Sequence, residues 1–376
     1  MKKRILVMYA RYGSGHKTIA EYVAKYIEEH NSDVELMTLD MTDYANGVGK
    51  VTVKIMDLVT KFRPEKIFDA FYEIFDHKLS SVGHNKLAKK SYDNKNLRKV
   101  IIDFNPDVTI SSHFYCSSII TYYNDLNLIN TKLLTIITDY RTHEWWTRNH
   151  KKEDGFIVGN EMVKKELVSR GVESKKVHAF GLPLNIKQIS RLDSEETILK
   201  RYNLSGNRKI YLCFGGSTAG SMYYYDYFKT LAKLDINADI VFVSGKNAKL
   251  KSKCEEYVRE KNIDNIRVLG FTNDVFNLMK ISDLVISKPG GATVTECLEM
   301  HRPMLLVPGL GGQEKYNAKF ISKKKYGIRV KGLWGFKRWI MRLEENPEMI
   351  TKMKIRMEKQ AQNKSVEKIN ELVMKL

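Results

Sequence analysis

Short apolar runs alternate along the chain with longer segments in which apolar residues recur every three or four positions. The short runs are typical of strands buried in a parallel sheet, and the longer segments, such as 17–29 and 161–170, are typical of covering helices. Twelve strands are predicted, at 4–9, 34–39, 108–111, 132–138, 155–158, 177–180, 210–214, 240–243, 266–269, 284–286, 304–307 and 328–330. This alternation predicts an α/β fold with two doubly wound sheets.

Segment 183–194 follows neither period, and we interpret it as a linker. It separates a predicted domain 1–183 from a second domain 195–345, and the Lys- and Met-containing tail 346–376 is predicted to be a helix that packs back across both. A chain of 376 residues is long enough for two domains with separate cores. Ligands of such sheets bind beyond the carboxyl ends of the strands, so we expect the site in a cleft between the domains.

Composition narrows the class of protein. With 43% hydrophobic residues and 7 prolines the chain is globular rather than disordered. No window approaches the roughly 18 apolar residues of a membrane span, and the apolar run near the N-terminus is shorter than that of a secretory signal. The 4 cysteines show no paired zinc-ligand spacing, which is typical of reduced cytosolic thiols.

A net charge of +19 predicts attraction to polyanions, either nucleic acid or an anionic lipid surface. No nucleic-acid-binding signature accompanies the charge. Between positions 48 and 62, lysines and apolar residues form two separate stripes of a helix, and an aromatic-rich segment follows. This pattern is typical of a helix at an anionic bilayer, although a helix that covers the sheet would also show it. The residues expected to contact a membrane are Lys50, Lys54, Ile55, Lys61, Phe62, Phe68 and Phe71.

The stretch 284–320 carries the most specific chemistry. Its first strand ends at Lys288 and a turn through Gly290 and Gly291, and a helix follows with Thr293 and Glu296 in its first turns. The glycines let the backbone approach a ligand closely, and the start of the helix favours an anion. Glu296 is able to accept hydrogen bonds from two neighbouring hydroxyls, as on a ribose.

A second turn follows the strand 304–307 and leads to Gln313, Glu314 and Asn317 at the start of another helix. Short hydrogen-bonding side chains suit a polyol, so the two turns together indicate a nucleotide-sugar pocket. The alternative is that both turns merely connect strands to helices. Two more Gly-rich turns follow strands, at 12–16 and at 215–220.

Several strings, in their order along the chain, resemble one family. They are GSGH near the N-terminus, TDYRTHEWW at 138–146, VGNEMVKKELVSRGV at 158–172, GLPL at 181–184, SKPGGATVTE and GQEKYNA. The chain resembles the diacylglycerol glycosyltransferases, which include the processive glucosyltransferases of Gram-positive bacteria and the monogalactosyldiacylglycerol synthases of plastids. The resemblance implies a GT-B fold, an acceptor lipid on the N-terminal domain, a UDP-sugar on the C-terminal domain, inversion at the anomeric carbon and no required metal or other cofactor.

The resemblance also implies roles for individual residues. On the donor side, Glu296 would hold the ribose. Gln313 and Glu314 would hold the hexose, Gly216 and Ser217 the phosphates, and the backbone of Phe271 and Thr272 the uracil. On the acceptor side, His16 would lie beside the reacting centre, in the loop that contains Gly13 and Gly15, and His143 and Trp145 match the acceptor motif. Where the family commonly has Arg after the GLPL string, this chain has Asn185.

An inverting transfer requires a base for the acceptor hydroxyl and compensation of the charge on the departing UDP. Neutral histidine accepts a proton at cytosolic pH, and the helix dipole is expected to keep His16 neutral. A capping role for His16 is the alternative. His113 and His143 are alternatives that would orient the acceptor. Lys288, the helix start at Gly291 and the 215–220 backbone would meet the diphosphate without a metal ion.

The sequence therefore predicts a glycosyltransferase that moves glucose or galactose from a UDP-sugar to diacylglycerol. It would lie peripherally on the cytoplasmic face of the cell membrane, bind anionic lipids and not bind nucleic acid. Two alternatives stay open. One is an N-acetylglucosaminyl transferase acting on a lipid-linked cell-wall precursor. The other is a non-catalytic nucleotide-sugar-binding membrane protein, which the loss of a phosphate neutraliser at Asn185 would allow.

Overall fold

The structure is a computed structural model that describes residues 2–11, 14–51, 54, 81–216, 222–309, 311–359 and 364–376. All twelve predicted strands are present, and their ends lie within two residues of the predicted positions. They form two six-stranded sheets in which every pair of neighbours is parallel. The predicted α/β fold class is therefore confirmed.

The first sheet has the strand order β2-β1-β3-β4-β5-β6. Its central strands are buried over most or all of their length because helices cover both faces, which explains why they appear in the sequence as continuous apolar runs. The strands are β1 Lys3–Tyr9, β2 Val34–Asp40, β3 Val108–Ser111, β4 Lys132–Ile137, β5 Gly155–Val158 and β6 Val177–His178.

The helices around the first sheet begin at capping side chains in several places. Asn94 and Asn160 each accept hydrogen bonds from two backbone N–H groups of the helix that follows. The helices are Ser14–His30, Ser81–Tyr92, Lys95–Phe104, Phe114–Asp125, Glu144–Thr147, Glu161–Ser169 and Ser365–Lys375. Large buried side chains such as Tyr92, Tyr123 and Phe156 fill the space between helices and sheet.

The second sheet has the strand order β12-β11-β10-β7-β8-β9. Its strands are β7 Lys209–Phe214, β8 Ala238–Val243, β9 Ile266–Leu269, β10 Leu284–Ser287, β11 Met304–Leu306 and β12 Gly327–Arg329. The helices of this part are Ile186–Ile189, Glu195–Arg201, Tyr224–Ala232, Ala248–Glu260, Val275–Ile281, Gly291–Glu299, Gln313–Lys324, Gly332–Glu345 and Glu348–Glu358. One apolar cluster, which includes Tyr211, Phe242 and Phe336, forms the core.

Contacts divide the described chain into two compact units. The first contains the described residues as far as Leu184 together with 364–376, and the second contains 185–359. The tail contributes one helix to each unit. The last helix packs on the first unit, where Lys3 Nζ donates to the carbonyl of Met374 at 3.1 Å and Asn31 bonds Asn370 at 2.8 Å. The predicted cleft between the domains stays a prediction.

Part of the predicted membrane-contact segment is described. Residues 47–51 are helical, Lys50 and Lys54 are exposed, and Val51 exposes 55% of its surface. The other predicted contacts, Ile55, Lys61, Phe62, Phe68 and Phe71, lie outside the described residues. Within the described ranges, no helix is long and apolar enough to cross a bilayer. All four cysteines are buried thiols.

Candidate functional site

The first sheet brings a group of histidines to one point of its carboxyl edge. In this strand order the chain changes direction between β1 and β3, and such a switch point leaves a crevice for ligands. His16 lies in the first turn of the helix after β1. His113 follows Ser112, the first residue after β3. The two imidazole rings meet edge to face, with their centroids 4.8 Å apart.

Hydrogen bonds determine which nitrogen of His16 carries a proton. Its Nδ1 lies 2.6 Å from the carbonyl oxygen of Ser112 and 3.2 Å from Oγ1 of Thr138. Because a carbonyl only accepts, Nδ1 is protonated, and a neutral ring keeps its lone pair on Nε2. Within the described residues Nε2 has no hydrogen-bond partner. His16 therefore has the tautomer that a general base requires.

His16 is 7% exposed, and its burial lowers the pKa of the ring to about 4. The bond to the Ser112 carbonyl opposes this shift but is the smaller effect. The ring is therefore neutral at cytosolic pH, as the sequence predicted. The prediction relied on the helix dipole, and burial of the ring acts in the same direction because it disfavours the charged form.

His113 and His143 have the opposite arrangement. Each caps a helix, because its Nδ1 accepts a hydrogen bond of 3.2 Å from the backbone N–H of Tyr115 or Trp145, respectively. With Nδ1 used as an acceptor, a neutral ring carries its proton on Nε2 and is a donor there. His143 is thus the N-cap of the short helix Glu144–Thr147. Of these three rings, only His16 has Nε2 as its basic nitrogen.

Aromatic side chains pack around the histidines. Trp145 is 5% exposed and packs against Phe114 and Tyr115 in the core, so its contact with an acceptor stays a prediction. Trp146 was not predicted as a site residue. Its ring centroid lies 6.4 Å from the ring centroids of both His16 and His113. The Nε1–H of Trp146 is buried without a hydrogen-bond partner in the described part of the chain.

Two glycines of the first loop were also predicted to belong to the site. Gly13 lies outside the described residues. Gly15 lies in the first helical turn, and a Cβ atom built there would meet no atom within 4 Å. Local crowding therefore does not require glycine at position 15.

The second sheet has its own switch point, between β7 and β10. Gly215 and Gly216 follow β7, and Lys288 to Gly291 follow β10. A Cβ on Gly215 would lie 2.9 Å from Leu250 Cδ2, and Gly216 has φ 78°, so both positions favour glycine. Ser217 lies outside the described residues. The two predicted glycine turns thus lie at the point where a doubly wound sheet binds ligands.

The helix Gly291–Glu299 starts without a capping side chain at Gly290. Its first N–H groups therefore have no side-chain acceptor, which suits an anion. Thr293 is half-buried in the first turn. One turn later, Glu296 is also half-buried, and its carboxyl group has no hydrogen-bond or ion-pair partner among the described residues. Burial raises the pKa of this carboxyl group to about 7. A carboxyl group desolvated without a partner is suited to receive a ligand.

Contacts join the turn after β10 to the turn after β11. Lys288 Nζ forms an ion pair with Oε1 of Glu314, and Asn317 Nδ2 donates to the Pro289 carbonyl at 3.0 Å. The structure therefore brings the two predicted turns together. It also shows that Lys288 already has a carboxylate partner and that the buried amide of Asn317 holds the first turn. Gln313 is half-buried and begins the helix Gln313–Lys324.

The residues predicted to meet a uracil lie after β9. Phe271 is 61% exposed, and Lys246 Nζ lies 5.3 Å from the centroid of its ring. The hydroxyl of Thr272 accepts from the backbone N–H of Asp274 at 3.0 Å. An exposed aromatic face at the carboxyl edge of the sheet offers a stacking surface for a planar base. Among the described residues, no group of three His, Cys, Asp or Glu is arranged to bind a metal.

The chain matches two known protein families. Residues 16–184 match monogalactosyldiacylglycerol (MGDG) synthase, and residues 211–373 match the glycosyltransferase family 28 C-terminal domain. Over 334 residues it is 29% identical to the processive diacylglycerol beta-glucosyltransferase of Bacillus pumilus (strain SAFR-032), with 87% of this chain and 82% of that one covered. The corresponding protein of Bacillus subtilis (strain 168) is 28% identical, with 87% and 83% covered.

Solved structures share the fold. MurG of Acinetobacter baumannii has a TM-score of 0.65 at 13% identity, with 100% of both chains covered. UDP-GlcNAc 2-epimerase of Neisseria meningitidis, bound to UDP-GlcNAc, has a TM-score of 0.64 at 13% identity, with 99% of this chain and 100% of that one covered. These likenesses support the two Rossmann-like domains of the GT-B fold. The two family matches together with the Bacillus relatives identify the chain as a hexose-transferring glycosyltransferase similar to the diacylglycerol glycosyltransferases.

Proposed function

We propose that this protein transfers glucose or galactose from a UDP-sugar to the hydroxyl of diacylglycerol, with inversion at the anomeric carbon. The observation that carries the proposal is the tautomer of His16, whose basic Nε2 lies at the switch point of the first sheet. In the reaction the acceptor oxygen forms a bond to C1 of the hexose while the bond from C1 to the UDP oxygen breaks. The hydroxyl proton passes to His16 Nε2, and UDP leaves with the bonding electrons.

The match to MGDG synthase supports diacylglycerol as the acceptor, because it covers the unit that contains His16. The relatives of Bacillus are named for transfer to diacylglycerol as well. These names refer to glucose and the MGDG family to galactose, so both sugars are candidates. Gln313 and Glu314 are the residues we expect to distinguish the hydroxyl in which the two sugars differ.

The second unit supports a UDP-sugar as the donor. Glu296 offers an unpartnered carboxyl group for the ribose, and the helix start at Gly291 offers N–H groups for the phosphates. Phe271 offers a face for the uracil. The epimerase of Neisseria meningitidis, which has the same fold, was solved with UDP-GlcNAc bound.

We also propose that the transfer needs no metal ion or other cofactor. Positive charge for the leaving diphosphate would come from Lys288 and from the backbone N–H groups at Gly291. Movement of Lys288 from Glu314 to the phosphates is part of this proposal. We expect full activity in the presence of EDTA; a loss of activity that Mg²⁺ or Mn²⁺ restores would contradict it.

Peripheral attachment to the cytoplasmic face of the membrane completes the proposal. A helix that merely covered the sheet would bury its apolar stripe, but Val51 is 55% exposed beside the exposed Lys50 and Lys54. Exposed lysines also lie on the helices Ser81–Tyr92 and Lys95–Phe104, at positions 86, 90, 95 and 99. Exposed apolar and basic side chains together favour an anionic bilayer.

The test is incubation of the purified protein with labelled UDP-glucose, UDP-galactose or UDP-N-acetylglucosamine and liposomes that contain diacylglycerol. We expect labelled glycolipid with one of the first two donors. Transfer from UDP-N-acetylglucosamine to a lipid-linked cell-wall precursor would favour the alternative enzyme. UDP binding without any labelled lipid would reject the transferase and favour a non-catalytic binding protein.

A further inference from the structure

A chain of buried hydroxyl groups runs through the first unit and ends beside His16. It begins at Glu153, whose Oε2 contacts the hydroxyl of Thr135 on β4. Thr135 Oγ1 lies 2.8 Å from Ser117 Oγ, and Ser117 Oγ lies 3.1 Å from Ser111 Oγ. Ser111 Oγ donates to the carbonyl of His113 at 2.8 Å. Every residue of this chain is at most 4% exposed.

The end of the chain is the turn that holds His16. Ser111 and His113, which flank Ser112, share two hydrogen bonds. The Ser111 hydroxyl donates to the His113 carbonyl and also accepts from the His113 N–H at 3.3 Å. Ser112 in turn bonds His16 twice: its carbonyl accepts from Nδ1 at 2.6 Å, and its hydroxyl donates to the His16 carbonyl at 3.0 Å. The geometry of this turn therefore sets the position and tautomer of the His16 ring.

Counting protons shows which form of Glu153 completes the chain. Four contacts link Glu153, Thr135, Ser117, Ser111 and the His113 carbonyl, and each needs one hydrogen. The three hydroxyls supply three hydrogens, and the carbonyl supplies none. The fourth must come from the carboxyl group itself, so the complete chain contains Glu153 as a neutral acid that donates to Thr135.

We propose that Glu153 is a positioning residue whose acid proton sets the direction of this hydroxyl chain and so holds the Ser111–His113 turn against His16. The proposal rests on the role of His16 as the base. In the ionised form that we propose, every hydroxyl reverses: Thr135 donates to Glu153, Ser117 to Thr135 and Ser111 to Ser117. The His113 carbonyl then loses its bond from Ser111 and keeps the N–H bonds from Cys116 and Ser117. The turn loosens without unfolding.

The surroundings of Glu153 keep it protonated at neutral pH. Burial raises the pKa of its carboxyl group to about 8, and the Thr135 hydroxyl and the Lys176 charge only partly oppose this. The Lys176 ammonium bonds the Glu153 backbone carbonyl at 2.9 Å, and Asp154, next in sequence, is paired with Lys132 at 3.1 Å. Near the other end, burial holds the pKa of the Cys116 thiol well above its usual value.

The decisive variant is Glu153→Gln, because its amide donates to Thr135 at every pH and cannot ionise. In the unmodified protein we expect kcat to fall roughly three- to tenfold as pH rises through about 8, the effect of one lost hydrogen bond. Glu153→Gln should keep the neutral activity and lack this fall. Glu173→Gln is the matched control, since it removes an exposed carboxylate near Lys176 without touching the chain, and it should keep the fall.

A second measurement does not depend on activity. The protein is labelled with ¹⁵N-histidine, and the NMR signals of the His16 ring are assigned by their loss in His16→Gln. As the pH is raised, these signals should shift with a midpoint near pH 8. The shift should disappear in Glu153→Gln and in Ser117→Ala, which interrupts the chain. If His16 shows no such shift, or if Glu153→Gln keeps it, the inference is wrong. If the shift behaves as expected but no donor yields labelled lipid, the proposed function fails and the link from Glu153 to His16 stands.

Discussion

At the scale of single residues, the hydrogen-bond partners of the histidines separate the proposed base, His16, from two helix caps. His16 donates from Nδ1 to a carbonyl, whereas His113 and His143 accept at Nδ1 from backbone N–H groups. The same residue type thus has opposite tautomers within one cluster. A neutral ring is ready to take a proton when its lone pair is not already used by a backbone N–H group, as the Nδ1 lone pairs of His113 and His143 are.

Replacement of His16 by Ala should lower kcat by about 10² or more, the usual contribution of a general base. The affinity for UDP should stay as in the unmodified protein, because His16 belongs to the other unit. Steady-state kinetics and calorimetric UDP titration measure the two effects. His30→Ala is the control, as it removes an exposed histidine from the end of the same helix. Equal losses in both variants would reject His16 as the base.

We expect donor binding to depend on pH through Glu296. In our proposal its carboxylate form accepts from the ribose hydroxyls, and burial raises its pKa to about 7, so the protonated form dominates below that pH. UDP affinity should therefore weaken as pH falls from 8 to 6. Glu296→Gln should cost about 1.5 to 3 kcal/mol of binding free energy at pH 8 and show little pH dependence.

Calorimetric titration of UDP at several pH values checks this prediction. Glu299→Gln, a carboxylate three residues further along the same helix, is the control and should bind like the unmodified protein. An affinity that is flat between pH 6 and 8 in the unmodified protein would contradict the assignment of Glu296.

At the scale of elements, the turns after the strands carry the site, and their glycines allow side chains to pack against the backbone. A Cβ on Gly309 would lie 2.9 Å from Cδ of Glu314 and would overlap its carboxylate. Glu314 is the partner of Lys288, so the glycine after β11 keeps the turn after β10 in place. Neighbouring turns are thus coupled through this ion pair and through the hydrogen bond from Asn317 to the Pro289 carbonyl.

Gly309→Ala should displace Glu314 and raise the KM for the UDP-sugar, while the unfolding temperature changes little because Glu314 is able to move. Gly335→Ala is the matched control. A Cβ at Gly335 meets no atom within 4 Å, and alanine inside a helix is more stable than glycine by roughly 0.5 to 1 kcal/mol. It should raise the unfolding temperature and leave KM unchanged. An unaltered KM in Gly309→Ala would show that the position of Glu314 does not matter for the donor.

At the scale of the whole molecule, the net charge of +19 favours binding to an anionic surface. Because the proposed acceptor is a lipid, we expect this surface to be a membrane. Attachment by charge is reversible and screened by salt, so it suits an enzyme that binds a membrane without spanning it. Lys50 and Lys54 are exposed and belong to the basic surface of the protein that we expect to face the membrane.

Replacement of Lys50, Lys54 and Lys61 by Glu should release the protein from anionic liposomes at physiological salt in a flotation assay. Replacement of Lys249, Lys253 and Lys261 by Glu changes the net charge equally in the second unit and should leave binding largely intact. Retention of the first variant would show that the segment is structural. Equal release of both would show that net charge alone causes binding.

Much of the fold was predictable because parallel strands buried on both faces must be continuous apolar runs, and all twelve were located in this way. The glycine turns were predictable because glycine lets the backbone of a strand-to-helix connection approach a ligand closely. Strings such as SKPGGATVTE resemble the diacylglycerol glycosyltransferases, and both family matches agree with this resemblance.

The order of the strands and the glycine turns could be predicted because each depends on residues that are close together in the chain, and the family resemblance depends on the order of several such strings. The tautomer of His16 became visible in the folded protein alone, because its partner Ser112 comes from a different strand end. The same holds for the chain from Glu153 to Ser111, whose serine and threonine members carry no pattern of their own. Burial and hydrogen-bond geometry give such residues their chemistry, and both arise only when distant segments pack together.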